Sequence, residues 1–178
     1  MRDSFDFEQI KTRYKFYYEQ AIQKKTDRLP FYEIQRWDKV LNKVASRIFE
    51  DIRVIGMPLY PIYPYTEHEY LHFANPFEKV GIEIIYKESP QDLINRKMLL
   101  LKSLGWTMYT IKSQDTYYTM EDFFSIKRKN KELNFSELDD EMQLIFFEKY
   151  HKENASCLLY HMQAVHFYKD SMPDYYIN

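Results

Sequence analysis

A mixed α/β fold, a small sheet flanked by helices with additional N- and C-terminal helices, is the class this sequence predicts. Three observations predict it. Glycine-free stretches toward both ends repeat apolar residues every three to four positions, the period of a helix face. A central stretch instead carries short β-branched and aromatic runs between turn formers. Within it, strand-like, helix-like and strand-like segments follow one another from Val80 to Ile111, the order of a right-handed β-α-β crossover.

The elements follow in order. Residues 3–25 lack glycine and proline, and Phe7, Ile10, Tyr14, Tyr17 or Tyr18, and Ile22 mark one helical face. Asp3 or Ser4 is placed to cap that helix, with acids early and Lys24 and Lys25 late, as the helix dipole favours. A second helix is expected over 32–51, with Ile34, Trp37, Val40, Leu41, Val44, Ile48 and Phe49 inward and Gly56 closing it. The run 59–65 is aromatic, and its two prolines confine it to an edge strand or an extended segment. A turn at 66–68 leads to a returning strand, 69–74, ended by Asn75–Pro76. Residues 80–87 form the strongest strand, nearly continuous in β-branched residues and therefore central. Ser89–Pro90 opens a helix whose inward spacing is Leu93, Ile94, Lys97, Leu100, Leu101 and Leu104, with Gly105 as its C-terminal glycine. Residues 106–111 are the next strand, and 136–150 and 155–169 are two further helices. Residues 1–56 are thus a helical segment, 57–126 the α/β core and 127–178 a C-terminal helical segment of one compact domain.

Composition excludes several classes. The 178 residues include only three glycines, so neither a GxGxxG nor a GxxxxGK[ST] nucleotide loop can be written. One cysteine permits no internal disulfide and no cysteine-rich zinc site, which fits a reducing, cytoplasmic setting. The chain shows neither a secretion signal nor an apolar run of membrane-spanning length, so no membrane partner is expected. Lys+Arg total 25 against Asp+Glu 27, a net charge of -2 that disfavours a strongly cationic nucleic-acid binder but leaves room for a local patch.

The text of the core carries a resemblance. It reads MPLYPIYP at 57–64, YLHFANP at 70–76, VGIEIIYKES at 80–89, LINRKMLLLKSLGW at 93–106 and TMYTI at 107–111. In order and spacing this resembles the small restriction-endonuclease-like domains related to very short patch repair endonucleases, within the PD-(D/E)XK superfamily. The relatives carry a proline-rich yPQYP strand, a strand ending DFAxP, a central IExDGxxxH strand, a helix with DRxRDxxL, and LGWxVxRF. The match covers about a third of the chain. It implies a restriction-endonuclease-like core and DNA cleavage with Mg²⁺ or Mn²⁺, held by carboxylate oxygens of the kind such hard ions prefer.

The site residues match less well than the scaffold. The acid of DFA corresponds to His72, the first central-strand acid to Glu83, and the second to Ile85; the glutamine of PQYP is Ile62. Of DRxRD, Arg96 remains, preceded by Asn95. In a strand, position 85 is the same-face neighbour of Glu83 at roughly 6–7 Å, and Lys87 lies roughly 13 Å away. The resemblance therefore points to Glu83, His72 and Lys87 as catalytic remnants and to Glu83 as the metal ligand. Nucleic-acid contacts fall to Arg96, Lys97, Lys127, Arg128 and Lys129. The site is degenerate, and the expected protein is a pseudonuclease that binds DNA or a protein, with no cofactor unless cleavage survives. An active enzyme would need acids from elsewhere, such as Glu33, Glu50 or Glu69.

Each candidate also has a structural reading. Glu83, between Ile82 and Ile84, would need a partner such as His72 or Arg96 if buried, because an unpaired buried charge is costly. His72 suits a hydrogen-bonding role or transition-metal ligation. Cys157 and His161, four apart on a helix, have the spacing of half a zinc site or of a core cysteine beside a surface histidine. Lys11, Arg13, Lys15, Lys24 and Lys25, interleaved with aromatics, could contact phosphate and stack on bases, or form a solvated helix face. Tyr60, Tyr63, Tyr65 and Tyr70 are cross-strand packing pairs or, if exposed together, a surface for a protein partner.

Overall fold

The computed structural model describes residues 5–113 and 155–167. The chain divides into two compact units, residues 1–110 and 111–178. Among the described residues no helix is long and apolar enough to cross a membrane.

Helix α1 spans Phe7–Gln23 and buries Ile10, Tyr14 and Ala21. Ile22, expected to face inward, is exposed. Its cap is Asp6, rather than Asp3 or Ser4: the Asp6 side chain accepts the Gln9 N–H at 3.1 Å. At its other end Lys25 donates to Ile22 O at 3.2 Å and Thr26 to Ala21 O at 2.9 Å, a reciprocal closure that needs Lys25 at φ 54°.

The single helix expected over 32–51 is three pieces. A one-turn helix α2 (Phe31–Ile34) and a 3-10 turn (Trp37–Lys39) precede helix α3 (Lys43–Ile55). Two side chains account for the break. Trp37 Nε1–H donates to Phe31 O at 2.7 Å, fastening the intervening chain to α2. The Asn42 carbonyl then accepts the Ala45 N–H at 2.9 Å, so a new helix starts after residue 42. Asparagine competes with helical hydrogen bonding in just this way. The apolar period survives because Trp37, Ala45, Ile48, Phe49 and Ile52 are all buried. Gly56, at φ 77°, closes α3 as expected.

Strands β1 (Tyr60–Pro64), β2 (Tyr70–Asn75), β3 (Val80–Ile85) and β4 (Thr107–Lys112) form one mixed sheet in the order β1-β2-β3-β4. β1 lies at the edge, the position in a sheet that tolerates its prolines. β1 and β2 are antiparallel with Tyr60 opposite Ala74 and Tyr63 opposite Leu71, and β2 and β3 are antiparallel with Phe73 opposite Ile82. Ile62 has φ 48°, a rare and strained backbone for a β-branched residue. β3 is buried along nearly its whole length. Gly81 lets β4 approach it, since a Cβ there would stand 2.9 Å from Met108 Sδ.

β3 was expected to run to Lys87 but ends at Ile85. Tyr86 N–H donates to Ser89 Oγ and Ser89 N–H to Tyr86 O, each at 3.0 Å, folding 86–89 into a turn that delivers Pro90 to the start of helix α4 (Gln91–Ser103). α4 ends at Gly105, φ 86°, with Trp106 N–H returning to Leu101 O at 3.0 Å. In the second unit, helix α5 (Ala155–Met162) continues as a π-helical turn, Gln163–Phe167. The helix expected over 136–150 lies outside the described residues.

Candidate functional site

Glu83 and His72 come one residue beyond the last β2–β3 register pair, on neighbouring strands. Glu83 is a buried acid on an otherwise apolar strand, 7% exposed. From α4, Lys97 Nζ donates to Glu83 Oε1 at 2.7 Å and to Tyr70 O at 2.8 Å. His72 Nδ1 stands 3.0 Å from Glu83 Oε2.

The same Nδ1 accepts the Ile84 N–H at 3.1 Å. A ring nitrogen holds either a lone pair or a proton in its plane, so it cannot accept from Ile84 and donate to Oε2 together. With Ile84 engaged, Glu83 Oε2 is a buried carboxylate oxygen without a donor. Burial pushes the carboxyl up, but the contacts with His72 and Lys97 outweigh it and hold Glu83 below its ordinary value of 4.5. Lys97 is the firmer support, because His72 donates to Oε2 only by giving up the Ile84 N–H.

Aromatic rings enclose the pair. Lys97 Nζ lies 5.5 Å from the centre of the Tyr65 ring. Tyr70 and Tyr86 flank His72 at 5.9 and 6.0 Å between ring centres. Burial pushes the Tyr70 hydroxyl up, and the negative charge of Glu83 adds to it. The Tyr86 hydroxyl accepts from Asn42 Nδ2 at 2.7 Å, tying the start of α3 to the site.

The structure brings together Glu83, His72 and Lys97. Lys87 is exposed in the turn after β3, because the strand stops two residues short of it. Arg96, one expected partner of Glu83, is exposed on α4, and the adjacent Lys97 makes the contact instead. Lys127, Arg128 and Lys129 lie outside the described residues. So does the Cys157 side chain, although Cys157 and His161 both fall within α5. Of the acids considered as substitutes, Glu50 is exposed on α3, and Glu69 accepts the Tyr65 hydroxyl at 2.8 Å. Among the described residues no group of three or more His, Cys, Asp or Glu could hold a metal ion.

The donors at Glu83 do not fit Mg²⁺ or Mn²⁺. One free carboxylate oxygen remains, the imidazole lone pair beside it is taken by Ile84, and position 85 is an isoleucine. Nor do the four tyrosines make one exposed face. Tyr60 is 2% exposed and accepts the Leu29 N–H at 2.9 Å, and Tyr63 packs against Tyr14 and Trp106. Burial pushes the Tyr63 hydroxyl up to about 12.

The partnership of Lys97 was the residue-level fact sequence reasoning missed. Its signal was present: Lys97 falls at an expected inward position, where a lysine needs an anion, although of the apolar residues expected on that face Leu101 is buried while Leu93, Leu100 and Leu104 are exposed. No family model, curated protein or solved structure matches this chain.

Proposed function

We propose that this chain is a nuclease-derived PD-(D/E)XK-like domain that has lost metal-dependent cleavage and acts as a binding module for nucleic acid or protein. The resemblance of residues 57–111 supplies the ancestry. The observation that carries the loss is the Glu83 carboxylate, which is engaged by Lys97 at 2.7 Å and has the apolar Ile85 where the resemblance puts a second acid. A metal at Glu83 would have to displace the Lys97 ammonium, leaving a buried charge without its partner.

The alternative, an Mg²⁺- or Mn²⁺-dependent endonuclease, rests on the donorless Glu83 Oε2. Supercoiled, linear and single-stranded DNA incubated with either ion is expected to stay intact with the wild type and with Glu83→Gln. Cutting by the wild type that disappears in the variant would overturn the proposal in favour of the enzyme.

A further inference from the structure

We propose that a row of five rings, running from Phe5 to Tyr86, is the docking surface for an arginine-bearing segment of a protein partner. The inference rests on the binding-module reading above and selects protein, rather than nucleic acid, as the ligand.

Three parts of the chain build the row. Phe5 and Phe7, at the start of α1, stack at 6.2 Å between ring centres, and they reach Tyr70 of β2 at 6.0 and 5.7 Å. Tyr70 continues to His72 at 5.9 Å, and His72 to Tyr86, in the turn after β3, at 6.0 Å. None of the five is buried, and Phe5 is 45% exposed. A phenylalanine left in water forgoes much of the stabilisation that burial gives, and aromatic side chains are enriched where proteins meet.

Charge selects the partner. The segments that carry the rings, 5–8, 67–72 and 83–88, hold six acids: Asp6, Glu8, Glu67, Glu69, Glu83 and Glu88. Lys87 is the one lysine or arginine on them. Three lysines from elsewhere also act on these acids among the described residues. Lys97 engages Glu83, Lys11 holds Glu8 at 2.9 Å and Glu67 at 2.8 Å, and Lys15 lowers the Glu67 carboxyl through space. Six acids thus stand against four lysines, which leaves the row in a negative field.

The protein's own cations show how a partner's would sit. Lys11 Nζ lies 6.0 Å from the centre of the Phe7 ring, and Lys97 Nζ lies 5.5 Å from that of Tyr65. Glu83 adds an independent observation. Its Oε2 has no donor, in a side chain only 9% exposed, and stands 3.0 Å from His72, the fourth ring of the row. After burial, the charge of Glu83 is the next cause that pushes the Tyr70 hydroxyl up, so the excess negative charge reaches the row. A guanidinium suits such a surface better than an ammonium, because its flat face stacks on a ring while its edge pairs with carboxylates.

The test uses the full chain and a short fluorescent peptide of alternating arginine and serine, followed by anisotropy in metal-free buffer. Matched peptides carry lysine, or the neutral isostere citrulline, in place of arginine. The wild type is expected to bind the arginine peptide best, the lysine peptide less tightly and the citrulline peptide not at all. Equal binding of the arginine and citrulline peptides would overturn cation recognition. Phe5→Ser is expected to weaken the arginine peptide about two- to fivefold. The triple variant Glu8→Gln, Glu67→Gln, Glu69→Gln should weaken it about tenfold. All four of these residues are exposed, so their replacement spares the core. The charge-matched control Glu19→Gln, Asp27→Asn, Glu78→Gln, exposed elsewhere, should bind nearly as the wild type does. Equal losses in the two triple variants would mean diffuse attraction and overturn the surface. A fluorescent DNA duplex is titrated in parallel. Binding of the duplex without any peptide would overturn the surface and leave nucleic acid as the ligand of the module. Binding of neither probe would overturn the surface and count against the module as well. DNA cutting after Mg²⁺ is added is a separate readout: it would remove the loss-of-cleavage reading, while the peptide comparison would still decide the surface.

Discussion

Lys97 and Glu83 show how a single buried charge constrains a fold. The lysine side chain is 16% exposed and the glutamate side chain 9%, so neither is well solvated alone. Removing one partner strands the other in a medium that penalises it, typically by about 3–5 kcal/mol, whereas replacing both can be nearly neutral. Lys97→Met is expected to destabilise by about that amount. The double variant Glu83→Gln/Lys97→Met should lose clearly less than the sum of the two single losses in a denaturant-unfolding cycle. Additivity would mean that the 2.7 Å contact contributes nothing.

The same carboxyl dictates a pH dependence. Its folded value lies below the ordinary 4.5, so the folded state binds the proton less readily than the unfolded chain does. The stabilisation is complete above the unfolded value and is lost as the pH falls through the folded one. Below about pH 4.5 the wild type should therefore lose stability faster than Glu83→Gln, and the gap between their denaturation midpoints should change in that window. Parallel curves through acid pH would rule out Glu83 as the titrating group.

At the scale of elements, three helices end by the same closure. α3 and α4 use Gly56 and Gly105 at positive φ, but α1 places Lys25 there at φ 54°. A residue with a Cβ pays roughly 1–2 kcal/mol in that conformation. Lys25→Gly removes the strain but gains chain entropy on unfolding. A net stabilisation of about 0.5–1 kcal/mol is expected, or a rise of about 1–4 °C in melting temperature for a chain of this size. A fall would mean the lysine side chain makes a contact that outweighs the strain. The glycine closures were readable in the sequence, because glycine alone enters that region freely. The breaks between α2 and α3 were not. They come from Trp37 reaching back to Phe31 and from Asn42 capping forward, and an apolar period is blind to both.

At the scale of the molecule, the sheet follows its sequence closely. Proline in 59–65 placed that strand at an edge, and the run at 80–85, rich in β-branched residues, became the buried strand β3 beside β2. Alternation and turn residues are local, so they survive translation from chain to sheet. The site was only half legible. That Glu83 needed a partner followed from burying a charge among isoleucines, and His72 as a neighbour followed from the motif order. Which residue of α4 would answer Glu83 depended on how the helix sits over the strands. A shift of one residue along a helix turns a side chain by 100°. That rotation puts Lys97 on the carboxylate and Arg96 in solvent, and packing against β2 and β3 is what sets it. Thus the class, the strand order's edge and centre, and the glycine-closed helix ends were written in local residue chemistry, whereas the identity of the buried ion pair arises only when α4 settles over β2 and β3, and the tie between the start of α3 and the turn after β3 only when Asn42 and Tyr86, 44 residues apart, meet.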